Sequence, residues 1–283
     1  MVHPGFVKGA CWEIERCVEQ LGMQLLCLPT HYMDTIGTWR CIFDEENEPI
    51  FELASKLNLA VEIHPYDGEK FIKLENTSWR FHLIWMLAQC ADAYHFLTLN
   101  GYQDKYPNMR TCFAHGGQLA QINLGRRIQG FDGRPDLFEG KSHPRKAVGH
   151  KNIFFDTLVH DTFSLDLMVR RQKGTDQIIL GLDDPYPLGE MESEPQSSYP
   201  GKLLDLALDE SIIDSTEYKE IWEDNKPLSD DIIIDIRTDK KKLTVSGIIG
   251  KTQGVSKSTR PPKKPAKNIH NHDEFFVSCS PQA

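Results

Sequence analysis

The sequence predicts an α/β protein in which a parallel sheet is covered by helices. Three observations carry that reading. Five short apolar runs alternate with amphipathic helical patterns, the connections are short, and His31, His64, His115, Asp156 and Asp183 fall at or near the C-terminal ends of the runs. Strands buried on both faces read as continuous apolar runs, and barrels and open α/β sheets alike build active sites at the carboxyl ends of their strands.

Ile14, Cys17, Val18 and Leu21 share a helical face over 9–21, and Gly22 ends it. A first strand over 24–29 runs into Thr30 and His31. A loop over 34–48 then leads to Pro49, which opens a helix with Ile50, Leu53, Ala54 and Leu57 on one side. A second strand over 59–65 carries His64. Residues 79–99 read as a helix with its end at 102–106, and the third strand follows as Arg110-Thr111-Cys112-Phe113-Ala114-His115-Gly116-Gly117. An apolar strand broken by a histidine and two glycines reads as one whose last side chain faces a site, although a satisfied structural histidine fits the same pattern. A helical pattern over 122–128 includes Arg126 and Arg127. The fourth strand lies at 151–157, a helix at 163–169, the fifth strand at 177–181, and a mostly helical stretch at 199–222.

Composition narrows the function. With 32 basic and 41 acidic residues the net charge is -9, against broad nucleic-acid binding. The seven cysteines form no CxxC pair, which points to reduced thiols in a cytoplasmic protein rather than a disulfide framework. No apolar run is long enough to span a bilayer, and the Met1-Val2-His3-Pro4 start lacks a signal-peptide plan. Residues 226–283 change in character. A small hairpin is conceivable over 232–245, and the Lys-, Ser- and Pro-rich stretch at 251–267 reads as a disordered basic tail.

His64 and Asp183, on different strand ends, are the right ligand types for a borderline divalent ion such as Zn2+, and His115 between them suits a proton acceptor for water on that ion. The same pattern allows structural histidines and an Asp183 that caps a turn before Asp184-Pro185.

The runs Ile63-His64-Pro65, Cys112-Phe113-Ala114-His115-Gly116-Gly117, Asp156-Thr157-Leu158-Val159-His160 and Gly181-Leu182-Asp183-Asp184-Pro185-Tyr186-Pro187-Leu188-Gly189-Glu190 resemble, in order and spacing, the last strands of the 2-amino-3-carboxymuconate-6-semialdehyde decarboxylase family of the amidohydrolase superfamily. The resemblance extends from about Glu13 to about Trp222. It implies a partial (β/α)8 TIM barrel comprising strands 4–8, with 1–225 as the incomplete barrel and 226–283 as a divergent tail. It also implies a zinc-dependent, non-oxidative decarboxylase of the kynurenine branch of tryptophan breakdown that limits quinolinate formation. On the family pattern His64 and Asp183 are metal ligands, His115 is the catalytic base, Trp79 lines the substrate pocket, and Arg126 binds a substrate carboxylate in the neighbouring subunit of a dimer. Arg134 falls on another recurrent arginine of the family, its role left open.

The chain also departs from the family. Its His-x-His pair, which supplies two further ligands, does not precede the strand at 24–29, so about three βα units are expected to be missing. Residues 85–90, Leu182, Asp184 and Tyr66 depart from family positions, and a closing helix after Asn225 is absent. An alternative reading is therefore a catalytically inactive, truncated paralogue that serves as an interaction or regulatory subunit of a full-length decarboxylase. A hydrolase of the same superfamily is a weaker third reading.

Overall fold

The computed structural model of the chain describes residues 3–66, 77–183, 186–190 and 198–225. Along the described residues run the strands β1 (Leu25–Pro29), β2 (His31–Met33), β3 (Trp39–Cys41), β4 (Ala60–His64), β5 (Arg110–Phe113), β6 (Ile153–Asp156) and β7 (Ile178–Ile179). The helices are α1 (Val7–Leu21), α2 (Glu48–Lys56), α3 (Met86–Leu99), α4 (Tyr102–Lys105), α5 (Gln118–Gly133), α6 (Thr162–Gln172), α7 (Lys202–Asp209) and α8 (Ser215–Lys219). Five strands pair in parallel in the order β1-β4-β5-β6-β7, so each expected strand is present. Each of β1 and β7 pairs on one side only among the described residues.

The sheet register explains why the apolar runs are continuous. Leu28, Ile63, Phe113, Phe155 and Ile178 align across the five strands as one row, and all are fully buried. This row faces the helices. Phe113 packs against Phe43, Tyr94 and Phe155, with ring centroids 6.3, 5.3 and 6.1 Å away. Such aromatic contacts add to the free energy of burying the rings. Truncating the central ring by Phe113→Ala is expected to cost about 3–5 kcal/mol, read as a lower midpoint in urea unfolding with an unchanged slope.

The adjacent row, Cys27, Glu62, Cys112 and Phe154, faces the other way. That inner face carries a smaller apolar cluster of Cys112, Phe154 and Ile179 with Leu25. Glu62 lies beside it, its carboxylate accepting from Cys27 Sγ at 3.0 Å, and burial raises its pKa.

Three differences from the sequence reading stand out. Residues 31–41, expected as the end of a strand and a loop, form the β2–β3 hairpin, with His31 paired opposite Cys41. The helix expected from residue 79 starts regularly only at Met86, after a widened π-type turn over Phe81–Trp85 with Ser78 and Trp79 in left-handed conformations. Gly101, also left-handed, separates α4 from α3. No helix among the described residues is long and apolar enough to cross a membrane. The expected tail, including its possible hairpin, lies outside the described residues, as do Asp184 and Pro185.

Candidate metal centre

His64 ends β4 two residues beyond Glu62, and strand alternation puts both on the inner face. Asp183 lies past the end of β7. His115 lies past the end of β5. One ligand atom from each of His64, His115 and Asp183 falls within 4.8 Å of the others. The Asp183 carboxylate lies between the two rings, its Oδ1 3.6 Å from His64 Nε2 and its Oδ2 3.9 Å from His115 Nε2. These separations exceed a hydrogen bond. The rings meet edge to face with centroids 5.0 Å apart, and Tyr66 approaches His64 at 5.6 Å.

The backbone that presents these groups is held in sparsely populated conformations. His115, Gly116 and Gly117 are successive left-handed residues, with φ of 57°, 60° and 50°. Glycine is required at 116 on two counts, because an added Cβ would also lie 2.2 Å from Val159 Cγ1. Asp156 fixes this turn. Its Oδ2 accepts from the His115 N–H at 3.0 Å, and its Oδ1 accepts from those of Gly116 and Leu158 at 2.7 and 3.1 Å. Asp183 and His160 are also left-handed, at φ of 52° and 68°. Strain of this kind persists only where the surroundings impose it, and it clusters at functional sites.

The Pro187–Glu190 run, which helped carry the family resemblance, has a structural task. The Glu190 carboxylate accepts from the N–H groups of Gly201 and Leu203 at 2.9 and 3.0 Å, tying the loop after Asp183 to the start of α7. The Tyr186 N–H donates back to the Asp183 carbonyl at 2.8 Å.

The electrostatics separate the two histidines. Burial opposes charge on His64, but the Asp183 carboxylate and buried Glu62 outweigh it, and the pKa is raised. Burial and the His64 charge push His115 down to about 3, against the pull of Asp183. His115 is thus a neutral imidazole at neutral pH. Burial lifts Asp156 to about 7 despite its three N–H donors.

Two imidazoles and a carboxylate are suitable donors for Zn2+ or Mn2+, so the residues present fit a divalent ion. His115, expected only as a base, lies as much within ligand reach as the other two. His82 and His160 bear electrostatically on His115; His160 closes the Asp156–His160 run that helped carry the resemblance but was assigned no role from sequence, and nothing in the spacing marks His82. Trp79 reaches this neighbourhood through His82, its half-exposed ring 5.2 Å away. Arg126 is exposed on α5, and among the described residues no hydrogen bond or ion pair joins it to the cluster. Its neighbour Arg127 is buried instead, stacked over Tyr94 and donating to His95 Nδ1 at 3.1 Å. Arg134 is held at the surface by Asp136.

No protein-family model matches the chain. The chain is 32% identical over 195 residues to 2-amino-3-carboxymuconate-6-semialdehyde decarboxylase of Dictyostelium discoideum, covering 68% of this chain and 50% of that protein. It is 32% identical over 142 residues to the protein of the same name from Caenorhabditis elegans, covering 50% of this chain and 35% of that protein. The chain therefore spans about half or less of the length of these curated relatives. Among solved structures, dihydroxybenzoic acid decarboxylase of Polaromonas, determined with bound manganese and 2-nitroresorcinol, superposes with a TM-score of 0.58 at 18% identity, covering 77% of this chain and 63% of that one. In sequence the chain is thus similar to 2-amino-3-carboxymuconate-6-semialdehyde decarboxylases over up to half of their length, and its fold is similar to that of the dihydroxybenzoic acid decarboxylase.

Proposed function

We propose that the chain carries the metal-binding and proton-transfer half of a non-oxidative decarboxylase acting on 2-amino-3-carboxymuconate-6-semialdehyde in tryptophan catabolism, where it draws material away from quinolinate. The observation that carries this is the convergence of His64, His115 and Asp183 at the strand ends, in a chain whose relatives bear that enzyme's name. His64 and Asp183 would hold the ion, Zn2+ by preference, with His115 beside them. A bound divalent cation supplies a Lewis acid for the negative charge that develops as CO2 departs. Neutral His115 has a free lone pair to take a proton and return it to the carbon that lost the carboxylate. Trp79 forms part of the substrate wall. Arg126, projecting from the outer face of α5, suits a carboxylate held in the site of a partner subunit, which makes a homodimer the working unit. The six cysteines among the described residues form no disulfide, which fits a reducing, cytoplasmic setting.

The test is decarboxylation of that semialdehyde by the Zn2+-supplemented chain. Turnover is expected in the parent chain and not in His115→Ala or Arg126→Ala. When those two variants are mixed, about a quarter of parental activity is expected to return, since random exchange makes half the dimers hybrid, each with one intact site. Among the described residues β1 and β7 each pair on one side only, which favours a second reading, a non-catalytic subunit of a full-length decarboxylase. Metal uptake without turnover, together with co-purification with the full-length enzyme, would decide for it.

A further inference from the structure

We propose a second metal site, distinct from the cluster at His64 and built from His31, Cys41 and Asp92, that takes a borderline or soft divalent ion such as Zn2+. One ligand atom from each residue lies within 4.8 Å of the others. Tetrahedral zinc with bonds of about 2.0–2.3 Å needs donors about 3.3–3.8 Å apart, so closing on an ion calls for side-chain movements of about 1 Å. The fold sets up two of the three by pairing. His31 and Cys41 are directly opposed in the β2–β3 hairpin, where facing side chains share one side of the ribbon. The third comes from α3, whose Asp92 Oδ2 is already 2.9 Å from His31 Nε2.

Supporting contacts orient these groups. Trp39 stacks on the His31 ring with centroids 5.5 Å apart and planes 4° from parallel, fixing the imidazole plane. Next to His31, the Thr30 hydroxyl donates to Gln89 Oε1 at 3.0 Å, and Gln89 stands one turn before Asp92, so the helix is pinned beside the hairpin. Fixed ligand planes of this kind are what metal sites require of their outer partners.

Two observations point to a cation. His31 is 8% exposed, and its Nδ1 is buried with no hydrogen-bond partner among the described residues. Charge around the cluster is also one-sided: Asp44 and Asp92 both bear on Cys41, while Arg40, the basic residue of the hairpin, is ion-paired with Asp34 and Glu46. Asp92 is half-exposed, which leaves an open side through which an ion can enter and water can complete its coordination.

Cysteine makes this site separable from the first. Co2+ bound through a thiolate gives a sulfur-to-metal charge-transfer band in the near ultraviolet, whereas two histidines and an aspartate give none. Titration of the purified chain with Co2+ is expected to raise that band to one equivalent, to keep it in His64→Ala, and to lose it in Cys41→Ser. Asp92→Asn, at a half-exposed position that leaves the core untouched, is expected to weaken the titration by at least on the order of tenfold, the loss that follows even when only a supporting partner is removed. A missing band in the parent chain, a band that survives Cys41→Ser, or an Asp92→Asn titration identical to the parent's would overturn the site.

Discussion

Asp183→Asn is expected to weaken Zn2+ or Mn2+ binding at the His64 cluster by on the order of a hundredfold, and to take decarboxylation below detection. The substitution keeps the shape of the side chain and removes its charge and one anionic donor. Both matter, because the carboxylate is the group that lies between His64 and His115. Calorimetric titration is the measurement, with the cysteine-containing site blocked by Cys41→Ser so that a single class of ion is counted. The pH dependence supplies an internal check. His64, with its pKa raised, competes through a proton, so affinity rises with pH until that proton is lost. His115, lowered to about 3, is already neutral and adds no competition near neutrality. Parental affinity in Asp183→Asn, or affinity flat with pH, would place the ion elsewhere.

The sequence made most of the sheet legible because the fold buries it on both faces. The row from Leu28 to Ile178 is wholly apolar, and five such segments separated by helical patterns leave few alternatives to a parallel sheet. His64 and Asp183 were readable because strand ends are the places where an apolar run must yield to a polar residue. What stayed hidden depends on contacts between distant segments. The hairpin strands His31–Met33 and Trp39–Cys41 are too short and too mixed to show a period. Asp92 meets His31 across 61 residues. The widened turn at Phe81–Trp85 looks, in composition, like ordinary helix. Arg126 and Arg127 are adjacent with opposite fates, and only the packing of α5 on Tyr94 determines which one is buried.

Asp156 shows the same limit most clearly, and replacing it is expected to have the second large effect. In sequence it is one more acidic residue at a strand end. In the fold its carboxylate is the common acceptor for the N–H groups of His115, Gly116 and Leu158. Asp156→Ala strands three buried donors at about 1–3 kcal/mol each, so a loss of at least about 3 kcal/mol is expected, and the His115 turn should be released with it. Asp156→Asn is the more informative change, because it retains one acceptor oxygen and removes the titration. Lifted to about 7, Asp156 contributes stability that is complete below its unfolded pKa near 4 and is lost as pH rises toward 7. His115, lowered to about 3, does the reverse. Its contribution is complete above the unfolded value near 6.5 and is lost as pH falls toward 3. Over roughly pH 4–6.5 the two slopes oppose each other. Removing the Asp156 slope is therefore expected to make Asp156→Asn gain stability with rising pH, relative to the metal-free parent, across that window. Urea unfolding at half-unit pH steps reads this directly, and parallel profiles for the two proteins would mean that Asp156 does not hold its proton in the folded chain.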